Sequence, residues 1–173
     1  MNLKSFIIND NNNYNESIKN WINPKAFIKA ELLYRLSRDG EEISKFHELC
    51  DNKGATLSLL EIENGNKLGI FTPLSWDNHS DKKIDMETFI FNLNKNQKYK
   101  KYNNNKYSIY CRNNFGPWVY CFRFFKEKMK KVKHQGLGIN EVYEKGSELF
   151  PNNNICDKYF NVKEVEVFKI IIE

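Results

Sequence analysis

Two alternating segments around an Asn-Gly pair constrain the fold more than any other feature of the sequence. Asn64-Gly65 lies between Thr56–Ile62 and Lys67–Thr72, where the apolar pattern has a period of two. Asn-Gly flanked by such segments is the strongest short-range signal for a β-hairpin, and a period of two is typical of strands. The sequence therefore predicts two antiparallel strands joined by a tight turn.

Strand patterns recur through much of the remaining chain. The other candidate strands are Leu32–Leu36, Glu87–Leu93, Tyr107–Arg112, Trp118–Phe125 and Phe160–Ile172. In the fourth of these, aromatic residues at every second position share one face. Because strands predominate and the predicted helices cluster in the first third, we expect an α+β fold, a two-layer antiparallel β-sandwich flanked by a few short helices.

Two helices are predicted before the hairpin. The first covers Glu16–Asn23, and Pro24 interrupts it. In the second, Asp39 is the expected N-cap, and Glu42 follows three residues later in a box-like arrangement. The apolar stripe of this helix has helical spacing and consists of Ile43, Phe46, His47 and Cys50. Gly54 lies just beyond, at a position where helices often end.

Length and composition fit one domain. The chain has 173 residues, of which 40% are hydrophobic and 14% aromatic, enough to build a core. Asparagine triplets indicate loops or arms, and we assign residues 1–15 to an Asn-rich N-terminal arm and residues 16–173 to a single domain. The formal charge of +5 permits an anionic partner without requiring one. We expect a monomer.

Cysteine spacing and apolar segments indicate the compartment. The four cysteines form no C-x-x-C pair, and their spacing is too loose for a zinc finger. The apolar run at the N-terminus is too short for a signal peptide, and no segment approaches the ~20 apolar residues of a membrane span. We therefore expect a cytoplasmic protein with reduced thiols and no transmembrane segment. G-x-S-x-G and H-E-x-x-H motifs are absent, so we predict no catalytic residue, metal ligand or cofactor.

The segment Glu31–Trp76 resembles the start of a TLDc domain. It reads ELLYRLSRDGEEISKFHELCDNKGATLSLLEIENGNKLGIFTPLSW. The residues that match the family's motifs are Leu32, Leu33, Tyr34, Arg38, Asp39, Gly40, Phe46, His47, Cys50, Asp51, Lys53, Gly54, Thr56, Asn64, Gly65, Gly69, Phe71, Thr72, Ser75 and Trp76. Farther along, Phe89–Leu93 resembles the family's Phe-Leu-Phe-Ser-Leu strand, and Phe160–Phe168 resembles its closing strand. The resemblance extends from about Ile18 to the end of the chain.

The resemblance implies a fold and a role. TLDc domains are compact sandwiches of two antiparallel sheets flanked by short helices. They are linked to protection against oxidative stress, and several bind and regulate the vacuolar proton-pumping ATPase. No catalytic mechanism is established for them. By similarity, we expect a non-enzymatic interaction domain with a protein partner, and the peripheral subunits of the vacuolar ATPase are the expected target.

The middle of the chain departs from the family pattern. TLDc relatives usually carry a glycine-rich stretch after the strand that corresponds to Tyr107–Arg112. Here only Phe115-Gly-Pro117 resembles it, and the bulky segment Trp118–Phe125 and a lysine cluster follow. Glycine permits backbone conformations and close approaches that bulky residues forbid. The sequence leaves open whether the divergent region 113–135 preserves the family's interaction.

Two charged pairs are the candidate interaction residues. Arg38 and Asp39 form a candidate binding edge, although capping and ion pairing also explain them. Glu164 and Glu166 alternate onto one face of the last strand, where two carboxylates could hold a cation or divide acid and base roles. In an unbroken strand, this alternation would place both glutamates on the same face as the apolar residues of the strand. Such a placement requires either a bulge that shifts the register or a partly buried groove. We favour a solvated glutamate pair, or one matched with Arg or Lys.

Two other functions remain as alternatives. In the first, His47 lowers the pKa of Cys50 and creates a peroxide-responsive thiolate, although packing of both residues on a sheet is the favoured interpretation. In the second, the basic runs Lys98–Lys101 and Lys126–Lys133 bind nucleic acid or anionic lipid, with Tyr99 and Tyr102 available for stacking. Such runs are usually solvated, and we expect no nucleic-acid partner. The lone GxG of residues 136–138 is weak evidence for phosphate binding.

Overall fold

The computed structural model describes residues 1, 3–79, 81–120, 122–124, 129–134, 139–149 and 158–173. Its helices are α1 (Asn12–Ile22), α2 (Leu36–Asp39) and α3 (Ile43–Cys50), with 3-10 turns at Ile139–Glu141 and Gly146–Leu149. Its strands are β1 (Ile28–Arg35), β2 (Thr56–Ile62), β3 (Lys67–Thr72), β4 (Lys82–Lys83), β5 (Phe89–Asn92), β6 (Gln97–Lys100), β7 (Ile109–Tyr110), β8 (Trp118–Val119), β9 (Phe122–Phe124), β10 (Lys131–His134) and β11 (Lys158–Ile172).

The described strands form two antiparallel sheets that share β11. The first sheet has the order β1-β11-β2-β3-β5-β6, and the second has the order β4-β7-β8-β9-β10-β11. A strand as long as β11 can pair with β10 along its first residues and with β1 along its last. The α+β sandwich expected from the strand patterns is therefore confirmed.

The predicted hairpin is present with the predicted strand ends. The loop between β2 and β3 is closed by hydrogen bonds from Gly65 N to Ile62 O at 2.8 Å and from Ile62 N to Asn66 O at 3.0 Å. Gly65 has a φ of 82°, a left-handed conformation that costs glycine little. The Asn-Gly signal thus marks the turn correctly because the turn needs one residue of this conformation.

Apolar residues fill both faces of the first sheet. Between the sheets, side chains such as Leu60, Ile70 and Val167 pack against α3 and the second sheet. On the outer face, Leu3, Ile7 and Ile8 of the N-terminal segment (residues 3–8) pack with Ile18 of α1 against side chains of the sheet. Residues 1–15, interpreted from the sequence as an arm, thus contribute to this outer cluster. The division into an arm and a domain stays a prediction.

Helix α1 begins four residues earlier than predicted. The side-chain carbonyl of Asn11 accepts hydrogen bonds from Asn13 N at 3.0 Å and Tyr14 N at 3.3 Å. These bonds satisfy two backbone donors that a helix start leaves free, which makes Asn11 the N-cap. The asparagine triplet at 11–13 therefore starts a helix, and the predicted boundary at Glu16 was wrong.

Asp39 does not cap α3, contrary to the prediction. It is the last residue of α2, and its Oδ2 accepts a hydrogen bond from Arg35 N at 2.8 Å. Gly40 follows with a φ of 88° and separates the two helices. Helix α3 starts after Glu42, which makes no side-chain capping bond. The box-like spacing was misleading because Asp39 caps the turn that precedes the helix.

A bulge near the start of β11 sets the faces of its residues. The pairing with β2 shifts register between Val162 and Glu164. Val162 therefore faces the space between the sheets, whereas Phe168 and Ile170 face the outer cluster. Of the two explanations that the sequence left open, the bulge is the one observed. The predicted strand Trp118–Phe125 is divided into β8 and β9, and β6 was not predicted as a strand.

Candidate functional site

Glu166 is the centre of a buried polar cluster on the outer face of the first sheet. The residue is fully buried, and its Oε1 lies 2.7 Å from Arg35 Nε and from Arg35 Nη2. Its carboxylate also accepts hydrogen bonds from Ser5 Oγ and, at 3.0 Å, from Phe6 N. Ser5 Oγ in turn accepts hydrogen bonds from the amides of Ile7 and Ile8. This cluster, called the Glu166 latch below, ties the N-terminal segment to β11 and β1.

Glu164, two residues before Glu166, also joins β11 to a neighbouring segment through its carboxylate. It is 8% exposed, and its Oε1 accepts hydrogen bonds from Ser37 N at 3.2 Å and from Val165 N at 3.0 Å. The carboxylate thereby holds the first turn of α2 against β11. The interpretation of a solvated glutamate pair is wrong, since both residues are buried. Pairing with a basic residue holds for Glu166, whose partner is Arg35.

Arg38 and Asp39 form the exposed end of the same region. Arg38 Nε and Nη2 each lie 2.8 Å from a carboxylate oxygen of Asp39, and Nη2 also donates to Leu33 O. The Arg38 side chain is 46% exposed, whereas that of Asp39 is 12% exposed. Burial by itself raises the pKa of Asp39, but the hydrogen bonds from Arg38 and Arg35 outweigh it and lower the pKa below the ordinary 3.8.

The four candidate interaction residues thus converge on α2 and the neighbouring Arg35. Sequence reasoning missed the residues that join them, namely Arg35, Ser5 and Phe6. Ser5 and Glu166 are separated by 161 positions, and Arg35 and Glu166 by 131. No local pattern indicates contacts over such distances in the chain.

His47 holds a loop of the second sheet against α3. Its Nδ1 donates to the Asp51 carboxylate at 2.9 Å, and its Nε2 donates to the carbonyl oxygens of Arg112 at 2.8 Å and Phe115 at 3.0 Å. All of these partners are acceptors, so the arrangement favours a doubly protonated imidazolium. Burial lowers the pKa of His47, but Asp51 and the two carbonyls more than offset this, and the pKa is raised above 6.5. His47 therefore belongs to a polar contact and not to the apolar stripe.

Cys50 is enclosed in the core between the sheets. It is 0% exposed, and burial, followed by the charges of Asp51 and Asp39, raises the pKa of its thiol. His47 does not activate it, because both imidazole nitrogens are engaged elsewhere. The packing interpretation of the sequence fits Cys50 but not His47, and burial with a raised pKa counts against a Cys50 thiolate at neutral pH.

A family model for the TLDc domain matches residues 2–171. The match covers nearly the whole chain, including the Glu166 latch, α3 and the hairpin. The chain belongs to the TLDc domain family. This family is linked to oxidative-stress resistance. Among curated proteins, no significant match to the chain is found.

Several residues that match the TLDc motifs have structural roles. Trp76 is almost fully buried, and its indole Nε1 donates to Thr56 Oγ1 at 2.9 Å. Its backbone carbonyl accepts a hydrogen bond from Asn52 N, which ties the end of α3 to the segment after β3. Phe46 packs edge-on against Trp76 and Tyr34. The matched segment of the TLDc domain therefore builds the core around α3.

The first basic run of this TLDc domain is part of a sheet. Residues 97–100 form β6, in which Tyr99 is fully buried and so unavailable for stacking on a base. Lys98 and Lys101 are also partly or fully buried, and their ammonium groups donate to the carbonyls of Trp21 and Asp85. Tyr102 is 49% exposed, and its hydroxyl donates to Asn140 O. The expectation of a solvated run is thus wrong for Lys98 and Lys101.

Some sequence predictions lie outside the described residues. They concern Cys121, Cys156, Lys126–Lys128 and the GxG at 136–138. In the described ranges, no group of three or more His, Cys, Asp or Glu side chains is placed to hold a metal ion. None of the helices in those ranges combines the length and apolar composition needed to cross a membrane.

The raised pKa of His47 predicts a pH-dependent stability. A group whose pKa is higher in the folded state contributes stability that is fully present below its unfolded pKa, about 6.5, and is lost as pH rises through the folded pKa. We expect wild type to exceed the His47→Gln variant in free energy of unfolding by about 1–3 kcal/mol at pH 6. This difference shrinks toward pH 9. Urea unfolding of both proteins across this range measures it, and a difference that stays constant or grows with pH contradicts the prediction.

The enclosure of Cys50 predicts a thiol that does not react in the folded protein. We expect N-ethylmaleimide and hydrogen peroxide to modify Cys50 at least about 100-fold more slowly in buffer than in urea, since the reactive thiolate is scarce and inaccessible. Peptide mass spectrometry reports each cysteine separately. The modification rate of Cys50 is compared with that of Cys111 in the same protein. Cys111 is also buried, and burial raises the pKa of its thiol to about 11. Rapid sulfenic acid formation on Cys50 in the folded protein contradicts this expectation.

Proposed function

We propose that this TLDc domain is a non-enzymatic docking module in oxidative-stress defence, and that it binds the peripheral sector of the vacuolar proton-pumping ATPase. The observation that carries the proposal is the family match over residues 2–171. The proposal includes a cytoplasmic location. The free thiols Cys50 and Cys111 are compatible with a reducing compartment.

The state of the titratable groups supports docking over catalysis. A general base needs a free lone pair near the substrate, but both nitrogens of His47 donate to protein acceptors. Glu166 is fully buried under the N-terminal segment. His47, Glu166 and the buried Cys50 thus have structural roles, and surface recognition is the role that fits best.

An exposed phenylalanine that packs on Arg35 supports a docking face beside α2. The Arg35 guanidinium lies 3.6 Å from the centroid of the Phe6 ring, whose side chain is 66% exposed. Arg38 follows three residues after Arg35, and its side chain is 46% exposed, whereas that of Arg35 is largely buried. Aromatic and arginine side chains are enriched among the residues that dominate binding energy at protein interfaces. Phe6 and Arg38 are therefore the proposed contact residues. The Glu166 latch holds the backbone of Phe6 in place, and Asp39 and the Leu33 carbonyl hold Arg38.

A binding titration against the purified peripheral sector of a vacuolar ATPase tests the proposal, with ATP hydrolysis followed in parallel. We expect saturable binding with altered hydrolysis, and at least about tenfold weaker binding for the Phe6→Ala and Arg38→Ala variants. The matched control is Phe27→Ala, because Phe27 is 63% exposed and also lies beside a cation, Lys29. No wild-type binding at tens of micromolar, weaker than about −6 kcal/mol, rejects the partner. Equal weakening by Phe27→Ala rejects the face.

A further inference from the structure

A groove lies on the outer face of the first sheet, where α1 ends. Helix α1 covers only part of this face, and the ring of Trp21 in its last turn packs at a tilt against that of Phe91, with ring centroids 5.4 Å apart. Beyond Trp21, a space of about 310 Å³ opens between α1, the start of β5 and the end of β6. Phe71 and Phe89 contribute apolar surface to the groove. We call it the β6 groove.

Positive charge concentrates on one side of the β6 groove. Three lysines line it, namely Lys98, Lys100 and Lys101, against a single carboxylate, that of Glu87. Burial, and then the neighbouring charge of Lys100, lowers the pKa of Lys98. An anion in the groove would relieve the repulsion between these ammonium groups.

The three lysines differ in the contacts that their ammonium groups already make within the protein. Lys98 Nζ donates to Trp21 O at 2.6 Å and lies 4.0 Å from the Phe89 ring centroid. Lys101 Nζ donates to Asp85 O at 2.8 Å. The exposed Lys100 ammonium has no hydrogen-bond or ion-pair partner within the described part of the chain. Lys100 is therefore the cation that is available to a ligand at no cost to the fold.

Apolar side chains make the other wall of the groove. Trp21 and Ile22 are partly exposed, and Met86 on the opposite side is 48% exposed. Methionine adapts its shape to different apolar partners. An apolar group of a ligand can therefore lie between Met86 and α1 while an anionic group reaches Lys100. The groove thus favours a ligand with both features.

We propose that the β6 groove binds an acidic peptide segment in which an apolar side chain lies next to carboxylates. The assignment rests on the proposed docking role and adds a partner class to it. The volume of about 310 Å³ is at the lower end for ligand sites and suits one large side chain. A concave site of this size with Glu87 on its rim fits an inserted peptide side chain better than a flat anionic bilayer.

NMR titration of the isotopically labelled protein tests the assignment. The probe is the acetylated and amidated hexapeptide Asp-Glu-Leu-Phe-Glu-Asp, and its comparison is the neutral Asn-Gln-Leu-Phe-Gln-Asn. We expect saturable shifts of amide signals in β6 and the last turn of α1 with the acidic peptide. Raising the ionic strength weakens this binding, because the Debye length falls below ~10 Å above 0.1 M salt.

Three charge variants make the test specific. Lys100→Glu weakens binding of the acidic peptide at least about tenfold, since it replaces attraction with repulsion. Glu87→Gln strengthens it by roughly threefold, because the exposed carboxylate on the rim no longer repels the ligand. Lys53→Glu leaves it unchanged, because Lys53 is exposed and lies outside the groove. The folded state of each variant is verified by its amide spectrum.

The outcomes separate this assignment from the proposed function. Equal binding of the neutral peptide, or equal effects of Lys100→Glu and Lys53→Glu, overturns the groove assignment. So does binding to phosphatidylserine vesicles without binding to the peptide. Groove binding by the peptide without binding to the vacuolar ATPase upholds the groove and rejects only that partner. If the Lys100→Glu variant still binds the ATPase and the wild type does not bind the peptide, only the groove assignment is rejected.

Discussion

Replacing Glu166 with glutamine lowers the free energy of unfolding by about 3–5 kcal/mol, because it leaves the Arg35 guanidinium without its buried counter-ion. Glu166 is fully buried, and the Arg35 side chain is only 12% exposed. The same carboxylate accepts the hydrogen bonds of Ser5 and Phe6, so its neutralisation also weakens the attachment of the N-terminal segment. Since domains of this size are stable by roughly 5–15 kcal/mol, the loss is a large part of the total.

Urea unfolding followed by tryptophan fluorescence measures this loss as a lower midpoint with an unchanged slope. The matched control is Glu173→Gln, which neutralises a carboxylate in an ion pair with Lys29 whose partners are about half exposed. We expect that control to cost under about 1 kcal/mol. A loss below 1 kcal/mol for Glu166→Gln would show that the latch contributes little to stability.

Hydrogen exchange adds a local test of the Glu166 latch. In wild type, the amide of Phe6 donates to Glu166, and the amides of Ile7 and Ile8 donate to Ser5 Oγ. We expect these amides to exchange faster in Glu166→Gln than the loss of global stability alone explains, since the segment can open locally. Exchange that rises equally throughout the chain would indicate a global effect only.

Replacing Phe46 with alanine lowers the free energy of unfolding by about 3–5 kcal/mol, because it opens a cavity at the centre of the core. Phe46 is 0% exposed. Its ring lies 6.4 Å from that of Tyr34, 6.1 Å from that of Trp76 and 5.1 Å from that of His47, measured between centroids. The substitution therefore removes at once the ring contacts of Phe46 with Tyr34 in β1, with Trp76 after β3 and with the imidazole of His47.

Phe27→Ala is the control for Phe46→Ala. Phe27 is 63% exposed, and its truncation is expected to change the free energy of unfolding by no more than about 0.5 kcal/mol. Thermal or urea unfolding of the three proteins under one condition gives the comparison. If both truncations cost the same, Phe46 is not the packing centre that its burial indicates.

The predictions that came true rest on local patterns. The Asn-Gly pair marked the hairpin because a turn residue with positive φ suits glycine. Helix α3 follows the spacing of its apolar residues, and Phe46 and Cys50 are buried as that spacing requires. The TLDc motifs were recognisable because they are ordered along the chain, and the family match over residues 2–171 agrees.

The errors arise where a contact that the local pattern does not indicate decides the outcome. Asp39 has the right identity and spacing for a cap, but Arg35 and Arg38 engage its carboxylate instead. Lys98 lies in a basic run that is usually solvated, but the end of α1 covers it. For Asp39 the competing partners are near neighbours in the chain, whereas for Lys98 the partner comes from packing that local propensity does not describe.

By itself the sequence determined the sandwich of antiparallel strands and the central hairpin, because periodicity and turn chemistry act over a few neighbouring residues. Its ordered motifs indicated the family by resemblance, and the family match agrees. The tertiary structure alone decided the environment of the candidate residues. It buried Glu166 against Arg35 and the N-terminal segment, engaged both nitrogens of His47, and opened the β6 groove beside Trp21. These features depend on contacts between segments far apart in the chain, for which a single sequence carries no local signal.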